Sequence, residues 1–296
     1  MSVIESNTIT QPELTIDAVY IKEQLQTNGP SAVGYIKLKD LLDRILAAIM
    51  LVPAFPMIVA LIVVVRLTSR GPGIFKQARV GKDGKNYTMY KLRSMTVDAE
   101  TKTGPAWSQG ASDPRTTFVG KILRKLYLDE LPQLFNVVKG EMSLIGPRPE
   151  RPEFVQILGT DIPGYLNRLA IKPGITGLAQ INLPADSDLD SVKKKLVLDT
   201  EYIQTAGFFL DLRILLCTAL KLIAIKGTTA ISLMNLKREV TLIGDPTSED
   251  ATAKGVVSLK EALGAEKNGL KHEVNFNGTE SSKELRRTTP GKIKPR

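Results

Sequence analysis

KILRKLYLDELPQLFNVVKGEMSLIGPRPER, residues Lys121–Arg151, is the stretch from which the rest of the chain can be interpreted. The adjacent acids Asp129 and Glu130 precede Pro132, which helices accept in their first turn because its missing N–H has no partner there. Apolar residues then recur at helical spacing as far as a basic residue and a glycine: Leu131, Leu134, Phe135, Val138, Lys139 and Gly140. The pattern predicts a short helix that starts at Asp129.

Basic residues flank this acid pair on both sides. Arg124 precedes it by less than two helical turns, and Arg148 follows in a Gly-Pro-Arg-Pro corner. At a helix start, Asp129 can cap the exposed N–H groups, and phosphate also binds at such positions. Two carboxylates ringed by arginines suit metal-assisted phosphoryl transfer. The same residues also fit a purely structural role, with Asp129 as a helix cap and Glu130 complementing the helix dipole.

The composition narrows the chemistry that the chain can perform. Its 296 residues carry a formal net charge of +9, one cysteine, Cys217, and one histidine, His272, which lies in a polar tail. An intramolecular disulfide, cysteine-based zinc sites, Ser-His-Asp catalysis and multi-histidine metal sites are therefore excluded. Catalysis must use carboxylates, Lys, Tyr or an oxygen-bound metal such as Mg²⁺. The positive charge suits nucleic acid, anionic lipid and phosphorylated substrates equally well.

A long apolar segment precedes these motifs. Ile45–Val65 contains no charged residue and matches the roughly 20 residues that cross a bilayer as a helix. Pro53 and Pro56 lie in its middle, where they are expected to break or sharply bend the helix. Both flanks are basic, which favours the cytoplasmic side for both ends. We therefore predict a re-entrant helix–break–helix, with a proline-kinked spanning helix or a buried core helix as alternatives.

A β-hairpin is predicted after the apolar segment. Two candidate strands, Ile74–Val80 and Tyr87–Leu92, are separated by an Asp-Gly pair. Alternation along the second strand places Lys91 and Arg93 on one face. Two such cations commonly form a solvated face, but the acid pair and arginines that follow also allow them to line a diphosphate pocket.

The remaining segments are mainly helical. Helices are predicted over residues 116–126, 153–158, 164–168 and 190–205, and a strand over 178–182. Gly207–Ile225 is apolar but contains Asp211, Arg213 and Lys221, which favours an amphipathic helix in the membrane interface over a spanning helix. Cys217 in this segment is interpreted as an apolar packing residue.

Together these segments predict an α+β fold in four parts. Residues 1–35 form a weakly ordered N-terminal extension without the features of a signal peptide, and residues 36–70 form the re-entrant membrane anchor. Residues 71–227 form a small cytoplasmic α/β catalytic core with the hairpin and interfacial amphipathic helices. Residues 228–296 form a polar tail that is expected to be disordered.

An ordered set of motifs resembles the bacterial sugar transferases, also called monotopic phosphoglycosyl transferases. After the proline-containing apolar segment come QARVG (77–81), YKLRSM (90–95), DPR (113–115), LDELPQLFNV (128–137), GPRP (146–149) and KPGITG (172–177). They follow the family's order from about Ile36 to Gly227. Each motif alone is weak, but the ordered set is specific.

The resemblance implies an enzyme of the bacterial inner membrane with its catalytic domain on the cytoplasmic face. Such enzymes transfer a sugar 1-phosphate from a nucleotide sugar, usually UDP-linked, to polyprenyl (undecaprenyl) phosphate and release UMP. The product starts an exopolysaccharide, O-antigen or other glycan pathway. The implied partners are a UDP-sugar, polyprenyl phosphate and membrane lipid. Nucleic acid is not expected, since aromatic residues are sparse, and a homo-oligomer is left open.

The resemblance also implies roles for individual residues. Asp129 corresponds to a nucleophile that forms a phosphosugar-enzyme intermediate, and Glu130 corresponds to a Mg²⁺ ligand. Residues that match the family's substrate site are Lys91, Arg93, Arg124, Arg148 and Asp199. The family's membrane break corresponds to Pro56, although the residue before it, often Ser, is Phe55 here. The alternative function is a non-catalytic membrane-tethered scaffold of polysaccharide assembly.

Overall fold

A computed structural model of the protein describes residues 30, 32–100, 113–186, 188–222, 225–242 and 256–258. These residues form a mixed fold of helices and short strands, in agreement with the predicted α+β class. Most of the predicted N-terminal extension and most of the predicted C-terminal tail lie outside the described residues.

The first helix, α1, spans Val33–Thr68 and continues through Pro53 and Pro56. The helix is therefore not interrupted at the two prolines, and a bend at this point and the re-entrant course stay predictions. An interior proline removes a backbone donor and crowds the preceding turn, so packing along α1 has to offset that cost. The side chains of α1 that are buried against the core share one face of the helix: Ile36, Lys39, Asp43, Ala47, Ala54, Ile58 and Val65. Within the described residues, α1 is the one helix long and apolar enough to cross a membrane.

Helix α1 contacts the core near both of its ends. Toward its start, Asp43 accepts a hydrogen bond from a backbone N–H of the core at 3.2 Å. In its middle, the rings of Phe55 and Phe135 meet edge to face, with centroids 6.5 Å apart. Just beyond its end, the carbonyl of Ser69 accepts a hydrogen bond from Arg93 Nη2 at 2.8 Å. The helix therefore lies along the core over most of its length.

Strands β1 (Ile74–Val80) and β2 (Asn86–Leu92) form the predicted antiparallel hairpin, with Ile74 opposite Leu92. The turn contains Asp83 with a φ of +55°, a left-handed conformation that aspartate adopts more readily than most residues. The hairpin prediction is confirmed, with the second strand starting one residue earlier than expected.

The segment around the acid pair differs from the prediction. Helix α2 (Phe118–Lys125) is followed by a 3₁₀ turn, Leu128–Glu130, and then by helix α3, Gln133–Lys139. The prediction of one helix capped by Asp129 is wrong, because Asp129 lies inside the 3₁₀ turn. Pro132 stands immediately before α3 and cannot donate a backbone hydrogen bond, which separates the turn from the helix.

The remaining elements complete the core around this segment. In chain order they are β3 (Ser143–Ile145), α4 (Pro152–Asp161), a 3₁₀ helix (Tyr165–Ala170), β4 (Gly174–Thr176), α5 (Leu178–Asn182), α6 (Leu189–Thr205), α7 (Phe208–Leu222), α8 (Gly227–Leu233), β5 (Glu239–Thr241) and β6 (Val256–Ser258). Strand β3 pairs in parallel with β4, and β5 with β6. The strand predicted over 178–182 is wrong, since this segment is helix α5; a short apolar run fits either periodicity.

Helix α7 has a buried side and an exposed side, as predicted for an amphipathic helix. Ile214 and Cys217 are fully buried, whereas Phe209 and Leu216 are exposed. Cys217 is therefore a packing residue. The location of α7 in a membrane interface stays a prediction.

Ordered structure continues past residue 227, where the core was predicted to end. Helix α8 begins there, and Leu236 is fully buried. Val240 packs with Val197 and Leu198 of α6. Residues 228–242 therefore belong to the folded core, and the predicted start of the tail is wrong for them.

Candidate active site

The acid pair lies in the 3₁₀ turn between α2 and α3. Tyr127, immediately before the turn, has a left-handed φ of +56°, which redirects the chain as it leaves α2. Asp129 is only 7% exposed, and the Glu130 side chain is 15% exposed. Both carboxylates are thus held at a bend and are largely shielded from water.

Glu130 is paired with two cations. Its Oε1 lies 2.7 Å from Lys91 Nζ and 3.3 Å from Arg148 Nη2. Burial by itself raises the pKa of a carboxyl, but Lys91 and Arg148 outweigh burial here and lower the pKa of Glu130 to about 2. Glu130 is therefore an anion at physiological pH.

Asp129 has a different environment from its neighbour. Burial raises the pKa of its carboxyl above the ordinary value, and the adjacent Glu130 adds to the rise. Lys91, Arg124 and Arg148 act in the opposite direction. None of the described residues donates a hydrogen bond to the Asp129 carboxylate. The Asp129 side chain is therefore a buried carboxylate that is surrounded by positive charge but accepts no hydrogen bond from the described residues.

Three separate elements supply the cations around the acid pair. Lys91 comes from β2, Arg124 from α2, and Arg148 from the Gly-Pro-Arg-Pro corner. Arg124 Nε also donates to Ser94 Oγ at 2.8 Å, which joins α2 to the end of β2. Residues far apart in the sequence are thus brought together, while their roles in binding substrate stay predictions.

Arg93 contacts the end of α1 instead of the acid pair. Its Nη2 donates to the carbonyl of Ser69 at 2.8 Å and to Ser69 Oγ at 2.7 Å. The last carbonyls of a helix have no partner within the helix, so a guanidinium there satisfies them. The contacts that the structure shows for Arg93 are therefore structural, and its predicted contact with substrate stays a prediction.

Asp199, in α6, is buried and paired with an arginine that the sequence analysis did not single out. Asp199 Oδ2 lies 2.9 Å from Arg168 Nη2, and the same nitrogen donates to the carbonyl of Arg148 at 2.9 Å. Burial raises the pKa of Asp199 to about 6, against the opposing effect of Arg168. Asp199 is thus joined to the Gly-Pro-Arg-Pro corner through Arg168. No local sequence signal distinguishes Arg168 from an ordinary surface arginine.

Asn136, in α3, is a second residue that the sequence analysis missed. It is fully buried, and its Oδ1 accepts a hydrogen bond from Tyr90 N at 3.1 Å. Its Nδ2 donates at 2.7 Å both to the Thr88 carbonyl and to Glu141 Oε2. Asn136 therefore attaches α3 to β2, the strand that carries Lys91. A polar residue inside the apolar run LFNVV was the available signal.

The family resemblance implies a Mg²⁺ ion at this site, and the carboxylates there show how such an ion could be held. Within the described residues, no group of three or more His, Cys, Asp or Glu side chains is arranged to hold a metal ion. Mg²⁺ often binds through one or two carboxylates, with water and substrate phosphates completing its coordination. An ionised Glu130 beside Asp129 fits that mode. The donor set suits a Mg²⁺ ion shared with a diphosphate, and not one held by protein alone.

The profile of a protein family described as bacterial sugar transferase matches residues 34–225 of this chain. The matched range contains the acid pair and every cation described around it.

Individual relatives extend this match. The chain is 42% identical over 198 residues to a UDP-N-acetylgalactosamine-undecaprenyl-phosphate N-acetylgalactosaminephosphotransferase of Aeromonas hydrophila, covering 67% of this chain and 46% of the relative. It is 42% identical over 186 residues to a UDP-glucose:undecaprenyl-phosphate glucose-1-phosphate transferase of Klebsiella pneumoniae, covering 62% and 39%. It is also 41% identical over 194 residues to the uncharacterized sugar transferase EpsL of Bacillus subtilis (strain 168), covering 64% and 89%. The chain thus spans less than half the length of the first two.

Proposed function

This chain belongs to the bacterial sugar transferase family, and we propose that it transfers a sugar 1-phosphate from a UDP-sugar to polyprenyl (undecaprenyl) phosphate, releasing UMP. The observation that carries the proposal is the buried Asp129 beside an ionised Glu130, with Lys91, Arg124 and Arg148 converging on the pair. The names of the Aeromonas and Klebsiella relatives support the same reaction class.

The cations give the site a means of accepting a diphosphate. A diphosphate resists attack because its oxygens are anionic, so positive charge must first offset them. Arg124 and Arg148 can each hold phosphate oxygens in a fork, and Lys91 supplies a point charge. Since Glu130 already pairs with Lys91 at 2.7 Å, the Lys91 side chain is oriented before substrate arrives, whereas the more exposed Arg148 makes a longer contact of 3.3 Å with Glu130.

Asp129 is the proposed nucleophile. Its carboxylate oxygen attacks the phosphorus that bears the sugar, a new P–O bond forms to Asp129, and the P–O bond to UMP breaks with its electron pair leaving on UMP. A phosphate oxygen of the polyprenyl phosphate then attacks the same phosphorus and displaces the Asp129 carboxylate. Covalent catalysis of this kind divides one difficult transfer into two easier steps and needs no histidine. The raised pKa of Asp129 makes its anion the more basic of the two carboxylates.

Glu130 is the proposed protein ligand of Mg²⁺. When bound, the ion would neutralise charge on the diphosphate and on the leaving group. The depressed pKa of Glu130 keeps the carboxylate ionised for this role. Lys91 and Arg148 hold the Glu130 carboxylate at the site.

Helix α1 is proposed to anchor the protein with both ends on the cytoplasmic face of the bacterial inner membrane. A straight helix of this length would be about 54 Å long, and yet both of its ends contact one core. Its outward side is apolar, including Leu41, Ile49 and Val52. This arrangement supports the proposal of a helix that bends within lipid and does not cross it, which would bring the acid pair close to the phosphate of the acceptor.

The reaction is tested by UMP release. Purified protein is incubated with Mg²⁺, polyprenyl phosphate and either UDP-glucose or UDP-N-acetylgalactosamine, the donors named for the relatives. Release of UMP that depends on polyprenyl phosphate supports the transferase. In the absence of acceptor, a peptide containing Asp129 should gain the mass of the sugar phosphate. A protein that binds membranes but releases no UMP with any UDP-sugar is instead a non-catalytic scaffold.

The membrane arrangement is tested by labelling. In a Cys217→Ser background, single cysteines replace the exposed residues Lys37 and Arg70 at the two ends of α1. In inverted inner-membrane vesicles, both cysteines should react with an impermeant maleimide. Reaction at only one end would establish that α1 crosses the bilayer.

A further inference from the structure

The backbone of the Gly-Pro-Arg-Pro corner is fixed at four successive carbonyls. Those of Pro147 and Glu150 accept hydrogen bonds from the backbone N–H groups of Gly174 and Val80, both at 2.9 Å. The two carbonyls between them accept from side chains: that of Arg148 from Arg168 Nη2, and that of Pro149 from Arg79 Nη1, again both at 2.9 Å. The corner is thus attached to four places in the fold, two of which depend on arginine side chains.

Arg168 is built into the core as a charged group with its own counter-ion. Its side chain is 7% exposed and that of Asp199 is 4% exposed, with 2.9 Å between the paired atoms. Its other terminal nitrogen, Nη1, donates to Tyr165 Oη at 2.7 Å. Burying a guanidinium is costly unless it is paired and hydrogen-bonded, and Asp199 and Tyr165 together meet both conditions. They leave Nη2 aimed at the Arg148 carbonyl.

The side chain of Arg148 itself has little to hold it. It is 43% exposed, and its described ion pair is the 3.3 Å contact with Glu130. The position of its guanidinium therefore depends on the backbone that carries it. A displacement of about 1 Å in a substrate-binding group can cost on the order of a hundredfold in rate.

We propose that Arg168 is a positioning residue for Arg148, and that Asp199 acts on the reaction through Arg168 as its buried counter-ion. The proposal rests on the proposed function in one respect, namely that Arg148 contacts the substrate phosphates. It assigns Asp199 a role different from the direct substrate contact that the family resemblance implies. Arg79 holds the neighbouring carbonyl and is expected to act in the same direction.

A double-mutant cycle distinguishes the proposed positioning of Arg148 by Arg168 from a purely structural role of Arg168 elsewhere in the fold. Arg168→Met and the milder Arg168→Lys, which retains a charge for Asp199, are each made alone and together with Arg148→Ala. The control is Arg238→Met, which removes another arginine paired with an α6 carboxylate, Glu201, at 2.7 Å and far along the chain from the corner.

We expect Arg168→Met to lower kcat/KM for UMP release by about tenfold or more, with Arg168→Lys intermediate and Arg238→Met within about twofold of wild type. In the Arg148→Ala background the further loss from Arg168→Met should shrink to less than about twofold, because the group it positions is gone. A loss that multiplies in full in that background would overturn the proposal.

Hydrogen–deuterium exchange supplies a readout that does not depend on activity. Amides of residues 143–151 should exchange faster in Arg168→Met and Arg168→Lys than in wild type or Arg238→Met. Unchanged exchange in both Arg168 variants would overturn the positioning role, whatever the enzyme assay gives. If wild type releases no UMP but the corner exchanges faster in these variants, the proposed function fails while the assignment of Arg168 to the corner stands.

Discussion

Two groups of buried charged residues, one at the start of α1 and one at the acid pair, differ in how their carboxylates are hydrogen-bonded. At the start of α1, Asp211 Oδ2 accepts from Tyr35 Oη at 2.6 Å and lies 3.0 Å from Lys39 Nζ. Its Oδ1 accepts from Tyr202 Oη at 2.7 Å. Lys39 is also paired with Asp43 at 2.7 Å. We call this set the anchor cluster.

The acid pair also has two largely buried carboxylates, but their hydrogen-bond partners are distributed differently. Glu130 is paired twice, whereas no described residue donates a hydrogen bond to Asp129. A carboxylate whose oxygens are all engaged is held in place and stabilises the fold. A buried carboxylate without such partners, surrounded by positive charge, is costly to keep and is available to react. The comparison separates a structural charge cluster from a reactive one.

The largest expected effect is the loss of turnover in Asp129→Asn. The substitution retains shape but removes the attacking oxygen anion, so kcat should fall by about a thousandfold or more. Since no described residue hydrogen-bonds the carboxylate, the midpoint of thermal unfolding should change little. UMP release and a thermal melt of the same preparation measure both quantities. Near-wild-type turnover would show that Asp129 is not the nucleophile. The acid pair would then not differ from the anchor cluster in reactivity.

The anchor cluster should show the opposite behaviour. Asp211→Ala removes a carboxylate that joins α1, α6 and α7. The Tyr35 hydroxyl then loses its acceptor, the Tyr202 hydroxyl keeps only the 3.4 Å contact with the Ile145 carbonyl, and Lys39 keeps one of its two carboxylates. Breaking such a pair costs about 3 kcal/mol of unfolding free energy. Chemical denaturation in detergent measures the loss, and kcat of the folded fraction should stay within about twofold of wild type. A protein of unchanged stability with impaired turnover would contradict the structural assignment of this cluster.

The parts of the fold that could be predicted from sequence are those with local causes. The hairpin follows from an Asp-Gly turn between alternating strands, and α6 follows from a helical pattern that is capped by Asp188 and Ser191. The convergence of Lys91, Arg124 and Arg148 on the acid pair was predicted from an ordered set of family motifs. The positions of Arg124 and Arg148 on either side of the acid pair pointed the same way, but spacing alone could not have brought Lys91 to it.

The predictions that failed depended on contacts distant in sequence. Pro53 and Pro56 do not interrupt α1, whose buried face packs on the core on either side of them. Asp129 caps no helix, because Pro132 delays the start of α3. The anchor cluster was not predicted at all, since Lys39 and Asp211 were interpreted only as charges next to or within apolar segments. Arg168 likewise acquires its partners only in the folded chain.

Lys91→Met tests how far the acid pair depends on its cations. It removes the closest partner of Glu130 while keeping a side chain of similar length. Loss of one charged hydrogen-bonding partner at a buried site is worth about 2 kcal/mol, so kcat/KM should fall by about thirtyfold. Lys237→Met, which removes a lysine from the exposed pair with Glu239 at 2.5 Å, is the matched control and should have little effect. Equal effects of the two substitutions would show that Lys91 is an ordinary surface charge.

The smallest expected effect is the contribution of Glu130 to acid stability. Its pKa is lowered from 4.5 to about 2 in the folded protein, so its pairing stabilises the fold fully above the unfolded value. That stabilisation is lost as the pH falls from about 4.5 toward 2, because the carboxyl becomes protonated. As the pH falls across this range, the unfolding temperature of wild type should therefore decrease relative to that of Glu130→Gln. In the Lys91→Met background the pKa of Glu130 should rise toward its ordinary value, and this decrease should become smaller. A difference that stays constant with pH in both backgrounds would mean that Glu130 is not held as an anion by its cations.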